Sequence, residues 1–452
     1  MKNYRIFLCF LVIYFFNNIP LYAVDKNSTT IKSELFDISK FVPTILPESY
    51  TPKSCRLTPL SEYEEKAQLT FLYNCVYSSE ETNDNILVII GFNPQLQPIT
   101  QTVLKIKEGE FYNLLAAKSD QFLLEERLPF DVNSNNGQFL YKIVAYDYKN
   151  NSLWSFDDTK LTSLKLKNYH IVSINHAVPI KNGHYIVSVD VQNINQATSY
   201  KNLILDITAN GKISWAYMDE YAEVFFQEAD LFYNQSNNQI VILKNLYEGD
   251  GQGQKNNLLK LNNQDSFLIS LDSNGREANR KNIGQLKLNN LASGLYRDGS
   301  LILVGMNADN KLEFLWFDST LNSKQHNTLS PIIENKTTKS ENEDFILKNL
   351  MFLSDKNFII LGNQYSDKDQ ENINISDSID EGMAHMLSGQ LTLLHVNPQG
   401  QIIDNNMLMD LSLIKEISLN SLITEMIRLN DQSILANIML GDTNRFYKIT
   451  IP

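Results

Sequence analysis

Two hairpin patterns alternate through most of this 452-residue chain, and together they leave few folds open to it. The first is a strand, a tight turn and a strongly apolar strand, as in Leu295-Tyr296-Arg297-Asp298-Gly299-Ser300 running into LILVG. It returns at Ile180-Lys181-Asn182-Gly183 into HYIVSV, at Asn234 to Asn238 into QIVIL, at Ser354-Asp355-Lys356-Asn357 into FIILG and at Asn430-Asp431-Gln432 into SILANI. The second is an apolar strand that ends in an Asp or Asn turn and leaves on a polar strand: IVAYDYKNNSLW, LILDITANGKISW, FLISLDSNGREAN, FLWFDSTLNSK and LLHVNPQGQII. Asp-x-x-Gly and Asn-Pro-Gln-Gly favour such turns because glycine accepts a positive φ and the Asx side chain bonds the backbone that follows it. Few stretches keep the i, i+3, i+4 spacing of a long helix, so the chain reads as predominantly β.

Two successive hairpins make a four-stranded antiparallel sheet, and sheets recurring at roughly 45 to 80 residues predict the blades of a β-propeller. Units near 55–100, 101–165, 166–218, 219–282, 283–330, 331–410 and 411–452 give about seven blades in a single domain, 55–452. The first and last units are short. That predicts that the leader of residues 24–54, or the first unit, lends a strand to the last blade and so removes an exposed edge. Pro43, Pro47 and Pro52 break the leader into short apolar pieces. A pair of β-sandwiches is the alternative architecture; a β-solenoid fits poorly with such long, irregular spacing.

Residues 1–23 have the layout of a secretory signal peptide: a basic start (Lys2, Arg5), an apolar run from Ile6 to Phe16, and Leu21-Tyr22-Ala23 before the expected cleavage. No later apolar run approaches the roughly 18 residues that span a bilayer, so the expectation is an exported protein, periplasmic or secreted, without an integral membrane span. Cys9 falls inside the signal. The other two cysteines, Cys55 and Cys75, are expected to form a disulfide in an oxidising compartment, contributing roughly 3 kcal/mol on the loop-entropy argument. With 39 Lys plus Arg against 52 Asp plus Glu, the net charge of −13 argues against a general nucleic-acid binder, which neutralises phosphates with clustered cations.

ILDITANGKISWAY, with Asp206, Gly211, Lys212 and Trp215, resembles the Asp-x-x-Thr-Gly-x-x-x-Trp repeat of the quinoprotein-like (PQQ-like) propellers, as does AYDYKNNSLW with Asp147, Asn151 and Trp154. LYRDGSLILVGMN followed by FLWFDSTLN is similar to kelch-like bacterial propeller repeats. The resemblance implies a β-propeller and leaves the activity open, since these families include enzymes as well as an outer-membrane assembly scaffold that carries no cofactor. A quinone-dependent dehydrogenase of this kind needs a Ca²⁺ site and typically a disulfide between adjacent cysteines. This chain has no Cys-Cys pair, so no cofactor is expected.

Motifs that carry chemistry are scarce. The six histidines (His170, His176, His184, His326, His385, His395) follow no zinc spacing, and no Gly-x-Ser-x-Gly elbow is present. Asp367, Asp369 and Glu371 alternate as a calcium loop begins, but Asn372 stands where the loop needs Gly and Ser378 where it needs Glu. No metal ligand or catalytic residue is assigned. The connections between second and third strands look long at Gln192 to Lys201, Asn245 to Asp265 and Tyr365 to Gln390, and in a propeller they emerge on one face as a crown. That crown would display Tyr200, Tyr247, Glu248, Asp250, Tyr365, Asp367, Asp369, Glu371, Asp377, Asp380, Glu381 and His385. Aromatics among acids suit a basic or peptide-like protein partner. Two functions stay open: an exported, non-catalytic scaffold module binding a protein or envelope component through the crown, or a propeller enzyme (hydrolase, lyase or quinone-dependent dehydrogenase) with its site at the central channel. Inward His, Asp or Glu with convergent geometry would favour the enzyme.

Overall fold

A computed structural model of the protein describes residues 31–451 apart from 43–45, 47–48, 61–68, 80–83, 130–138, 219–225, 235–236, 249–261, 285–287, 297, 310, 330–342, 354–356, 367–389, 411–421, 431 and 441–442. The signal-like segment 1–23 lies outside the described residues. After β1 (Lys32–Phe36), the strands fall into seven four-stranded antiparallel sheets. Blade one is β2 (Tyr50–Pro59), β3 (Phe71–Ser79), β4 (Asn85–Phe92) and β5 (Pro98–Ile106); blade two is β6 (Phe111–Ala117), β7 (Gln121–Pro129), β8 (Phe139–Asp147) and β9 (Ser152–Phe156). Blade three is β10 (Tyr169–Pro179), β11 (Tyr185–Asn193), β12 (Gln196–Ile207) and β13 (Ile213–Met218); blade four is β14 (Phe226–Asn234), β15 (Gln239–Glu248), β16 (Asn262–Leu271) and β17 (Glu277–Gly284). Blade five is β18 (Asn289–Leu295), β19 (Leu301–Met306), β20 (Leu312–Phe317) and β21 (Ser323–Leu329); blade six is β22 (Glu343–Phe352), β23 (Phe358–Ser366), β24 (Gln390–Val396) and β25 (Ile402–Asp410). Blade seven is β26 (Leu422–Asn430), β27 (Ser433–Leu440) and β28 (Thr443–Thr450), completed by β1.

The first strand of each blade is innermost. These strands touch in a closed circuit, β2 to β6, β10, β14, β18, β22, β26 and back to β2, which makes the seven sheets a β-propeller. The leader lends the missing strand: β1 pairs with β28 from Lys32 opposite Thr450 to Phe36 opposite Phe446. Just before it, the Ile31 N–H donates to Asp404 Oδ2 at 2.5 Å and the Ile31 carbonyl accepts from Asn406 Nδ2 at 2.7 Å, fastening the strand to blade six as well.

Instead of one central core, seven apolar clusters fill the seven boundaries between blades. The second strands explain why. Phe71 and Tyr73 face blade seven while Leu72 faces blade two; Tyr185 and Val187 face blade two while Ile186 faces blade four. With both faces buried, such strands are continuous apolar runs rather than alternating ones. Each large side chain so removed from water contributes about 1.5–3 kcal/mol.

Turns between third and fourth strands repeat one chemistry. The side chains of Asn93, Asp147, Asp272, Asp318 and Asn397 each accept backbone N–H groups two and four residues on, at 2.8–3.0 Å. Three residues after each stands a positive φ, at Leu96, Asn150, Gly275, Leu321 and Gly400. Fourth-strand side chains then reach the same turn of the following blade: Thr102 donates to the Tyr148 carbonyl, Trp154 to that of Ala209, Trp215 to Ser273, Asn279 to Thr320 and Asn327 to Gln399, all at 2.9–3.1 Å. Cys55 stands opposite Cys75 across β2 and β3, and the two form the expected disulfide. Among the described residues no helix is long and apolar enough to cross a membrane.

Candidate functional site

Register brings residues from distant parts of the chain to one height of the inner ring. Opposite the fourth or fifth residue of each blade's second strand stand Arg56, Asn113, His176, Asp230, Ala292, Asn349 and Glu425. Six of these seven are polar, although Leu57, Leu114, Ile174, Leu231 and Ile427 on the same strands are buried in the boundary cores. β-Bulges between Leu114 and Ala116, Ile174 and His176, and Leu347 and Asn349 lie at the same height and turn the intervening residues out of simple alternation.

Two arcs of this belt are tied across blade boundaries. On one, the Ser293 hydroxyl of blade five donates to Asp230 Oδ2 of blade four at 2.5 Å, and His176 Nε2 of blade three lies 3.7 Å from Asp230 Oδ1. On the other, Glu425 Oε2 of blade seven accepts the Leu57 N–H of blade one at 2.7 Å, while Asn437 donates to the Cys55 carbonyl at 3.1 Å. Burial pushes the Glu425 carboxyl above the ordinary range, opposed by that N–H, by Asn437 and by the charge of Arg56. Behind the belt, Asp190 accepts from Asn175 and Asn202 at 2.9 Å; burial raises it too, against these bonds and the charge of Lys244 in the next blade. Glu125, fully buried, accepts from Arg127 Nε at 2.7 Å and Asn113 Nδ2 at 3.2 Å.

The chemistry available to this arrangement is limited by that pairing. The Ser293 hydroxyl donates its hydrogen bond to Asp230, and His176 approaches the same carboxylate, so among the described residues the partner of the hydroxyl is a carboxylate and not an imidazole. Among the described residues, no three His, Cys, Asp or Glu side chains gather as a metal ion would require.

The face that carries the second-to-third strand connections shows a different character. At that end of blade two, Phe111, Arg127 and Tyr141 form one cross-strand row, with Phe139 opposite Pro129 and Leu140 opposite Leu128 beside it. The guanidinium of Arg127 lies 4.9 Å from the Phe111 ring centre and 5.4 Å from that of Tyr141. Phe111 is 48%, Phe139 43% and Leu140 39% exposed. Sequence reasoning missed this row because Phe111, Arg127 and Tyr141 become neighbours only through strand register.

The crown residues fall as follows. Gln192 to Lys201 is a correction: it is not a long loop, because β11 and β12 continue almost to a tight turn around Ile194 and Asn195, and Tyr200 is a strand residue opposite Gln192. Its polar QATSY run reads as loop yet is strand, with Gln196 opposite Asn193, Tyr200 opposite Gln192, and the three residues between them bulged out of the register. Tyr247 and Glu248 end β15, opposite Asn263 and Asn262, and Tyr365 lies near the end of β23 opposite Asp344. Asp250, Asp367, Asp369, Glu371, Asp377, Asp380, Glu381 and His385 lie outside the described residues.

No family model matches the chain, and no curated protein matches it. Solved structures similar to it include a prolyl endopeptidase studied for inter-domain dynamics in catalysis and specificity, at 11% identity and a TM-score of 0.42 over 88% of this chain and 46% of that one. The chain thus spans about half the length of that endopeptidase. The WD40 domain of Toxoplasma gondii coronin is similar at 7% identity and a TM-score of 0.43, over 94% of this chain and 87% of that one. The β-propeller domain of the Trilobed protease from Pyrococcus furiosus is similar at 10% identity and a TM-score of 0.42, over 89% and 94%. The assignment of this chain as a seven-bladed β-propeller rests on its own strand order and closed inner ring.

Proposed function

We propose that the protein is an exported, non-catalytic β-propeller that docks a protein or peptide partner on the face carrying the second-to-third strand connections. The observation that carries this reading is the row of Phe111, Arg127 and Tyr141 on that face, with Phe111 exposed and the exposed Phe139 two residues from Tyr141 on the same side of the sheet. Large apolar side chains grouped in the open, with an arginine among aromatic rings, have the composition of binding hot spots. The net charge of −13 favours encounter with a basic partner, and the signal-like residues 1–23 support export. The test is an affinity pull-down from native envelope extract with the intact protein, a Phe111→Ser/Phe139→Ser variant, and a variant whose 366–388 segment is a short Gly-Ser turn, all matched in thermal unfolding. A partner retained by the intact protein and lost by the serine variant is the expected result. A partner indifferent to both changes would reject this face.

A second reading, a hydrolase or lyase acting at the channel, is favoured by the convergence of His176, Asp230 and Ser293 from three blades. It ranks second because Ser293 and His176 share one carboxylate instead of forming a nucleophile–base pair.

A further inference from the structure

The disulfide of blade one is buried where the ring closes. Neither Cys55 nor Cys75 has accessible surface. Both belong to the apolar cluster between blades one and seven, in which Leu57, Tyr73 and Val88 of blade one meet Ile427, Leu429, Leu435 and Phe446 of blade seven. The Tyr73 hydroxyl donates to Cys55 Sγ at 3.2 Å, and the Tyr73 ring meets Phe446 edge-on with centres 5.7 Å apart. Backbone beside the bridge is fastened to blade seven as well, by Asn437 at the Cys55 carbonyl and Glu425 at the Leu57 N–H. This boundary also differs from the others in how it is held. Elsewhere the chain passes from the fourth strand of one blade to the first strand of the next, as from Ile106 to Phe111. Blade seven instead takes its outer strand from the leader, through five residue pairs between β1 and β28, and Phe36, Ile38 and Phe41 of that leader pack on the same cluster. Parting β1 from β28 frees blade seven from blade one while the other sheets stay intact, which is a sub-global opening.

We propose that the boundary between blades seven and one is the joint at which the ring opens, and that the Cys55–Cys75 disulfide is a redox latch sealed beneath it, reduced by an external dithiol only while the joint is open. Thiol–disulfide exchange needs a thiolate in contact with one sulfur, and the closed ring offers no sulfur surface. With blade seven displaced, one thiolate of the dithiol attacks Cys55 or Cys75, forms a mixed disulfide and expels the other cysteine as a thiolate. The second thiolate of the dithiol then displaces the remaining protein sulfur. Two electrons pass to the protein, the dithiol leaves as its cyclic disulfide, and β2 is held to β3 by the ladder alone. The rate of reduction thus reports how often the joint opens. None of this involves the row of Phe111, Arg127 and Tyr141, so it stands or falls independently of the partner-docking reading.

The test is the rate at which the native protein loses its disulfide in dithiothreitol, read by alkylation and intact mass, for the wild type and for Phe446→Leu and Phe358→Leu. Phe358 is buried in the cluster between blades five and six, far from the bridge in ring order. The expected result is that F446L speeds reduction about tenfold or more while F358L stays within about twofold of the wild type. Equal acceleration by both variants would show that reduction follows global unfolding, and no acceleration by F446L would show that this boundary need not part; either result overturns the proposal. Should a variant fail to fold, the urea dependence of wild-type reduction below the unfolding transition gives a second reading. A slope well below that of global unfolding is expected when one boundary parts, whereas a slope equal to it, or none, rejects the joint.

Discussion

The indole Nε1 of Trp215 donates to the Ser273 carbonyl at 3.1 Å, and the same ring closes over Gly275 of that turn, leaving no room for a Cβ. Gly275 also holds a φ of +74°. Gly284 offers a matched comparison, with a φ of +78° and open space around it. Gly284→Ala is expected to lose only the backbone term, about 1 kcal/mol. Gly275→Ala adds overpacking against Trp215 and is expected to lose about 3 kcal/mol. Denaturant midpoints of the two variants check this, and equal losses would show that the Trp215 contact has no energetic role.

The cross-strand pair Cys55 and Cys75 closes a loop with a sequence separation of 20. Replacing both by serine is expected to lower stability by about 3 kcal/mol, mainly through a freer unfolded chain. Intact mass under non-reducing conditions should first show two hydrogens missing. A double variant as stable as the parent would remove the disulfide from the account of blade one.

Two sets of carboxylates act in opposite senses on stability against pH. Backbone and side-chain hydrogen bonds hold Asp272 and Asp318 below the ordinary aspartate value of 3.8, so what they contribute is full above that value and is lost as pH falls through their folded-state values. Burial raises Asp190 and Glu425, so their contribution is full below 3.8 and 4.5 respectively and is lost as pH rises through their folded-state values. Glu425→Gln should therefore flatten the decline above pH 4.5 and leave the acid limb unchanged. Unfolding midpoints in steps from pH 3 to 8 test this; a variant profile parallel to the parent above pH 4.5 would rule it out.

Deleting the leader through Phe36 should uncover the edge of β28. The expected outcome is a lower melting temperature together with concentration-dependent association on size-exclusion chromatography, because an unpaired edge recruits other strands. A truncated protein that stays monomeric and melts with the parent would mean that β1 is dispensable.

The blades were legible because two features of this fold write themselves into local sequence. The Asp272-Ser273-Asn274-Gly275 turn encodes its own hydrogen bonds, and a second strand such as Leu301-Ile302-Leu303-Val304 is buried on both faces. The lent strand showed only as a shortage in the last unit, since Lys32 to Phe36 is mostly exposed and carries no apolar run. The belt was not legible. Arg56, His176, Asp230 and Glu425 come singly from separate blades, and bulges such as that at Lys348 shift the alternation that would have flagged them. The row of Phe111, Arg127 and Tyr141 was hidden for a related reason, because register and not spacing makes them neighbours.

Pairing between β1 and β28 also sets a timetable for the molecule. β1 has no sheet partner until Thr443 to Thr450 has been synthesised, so the ring cannot close before the last blade is made. Joining ends separated by nearly the whole chain costs about 5 kcal/mol of loop entropy, which only the last boundary cores repay. Contacts this distant in sequence slow folding. Closure of the ring is thus tied to the completion of blade seven, the last to be synthesised.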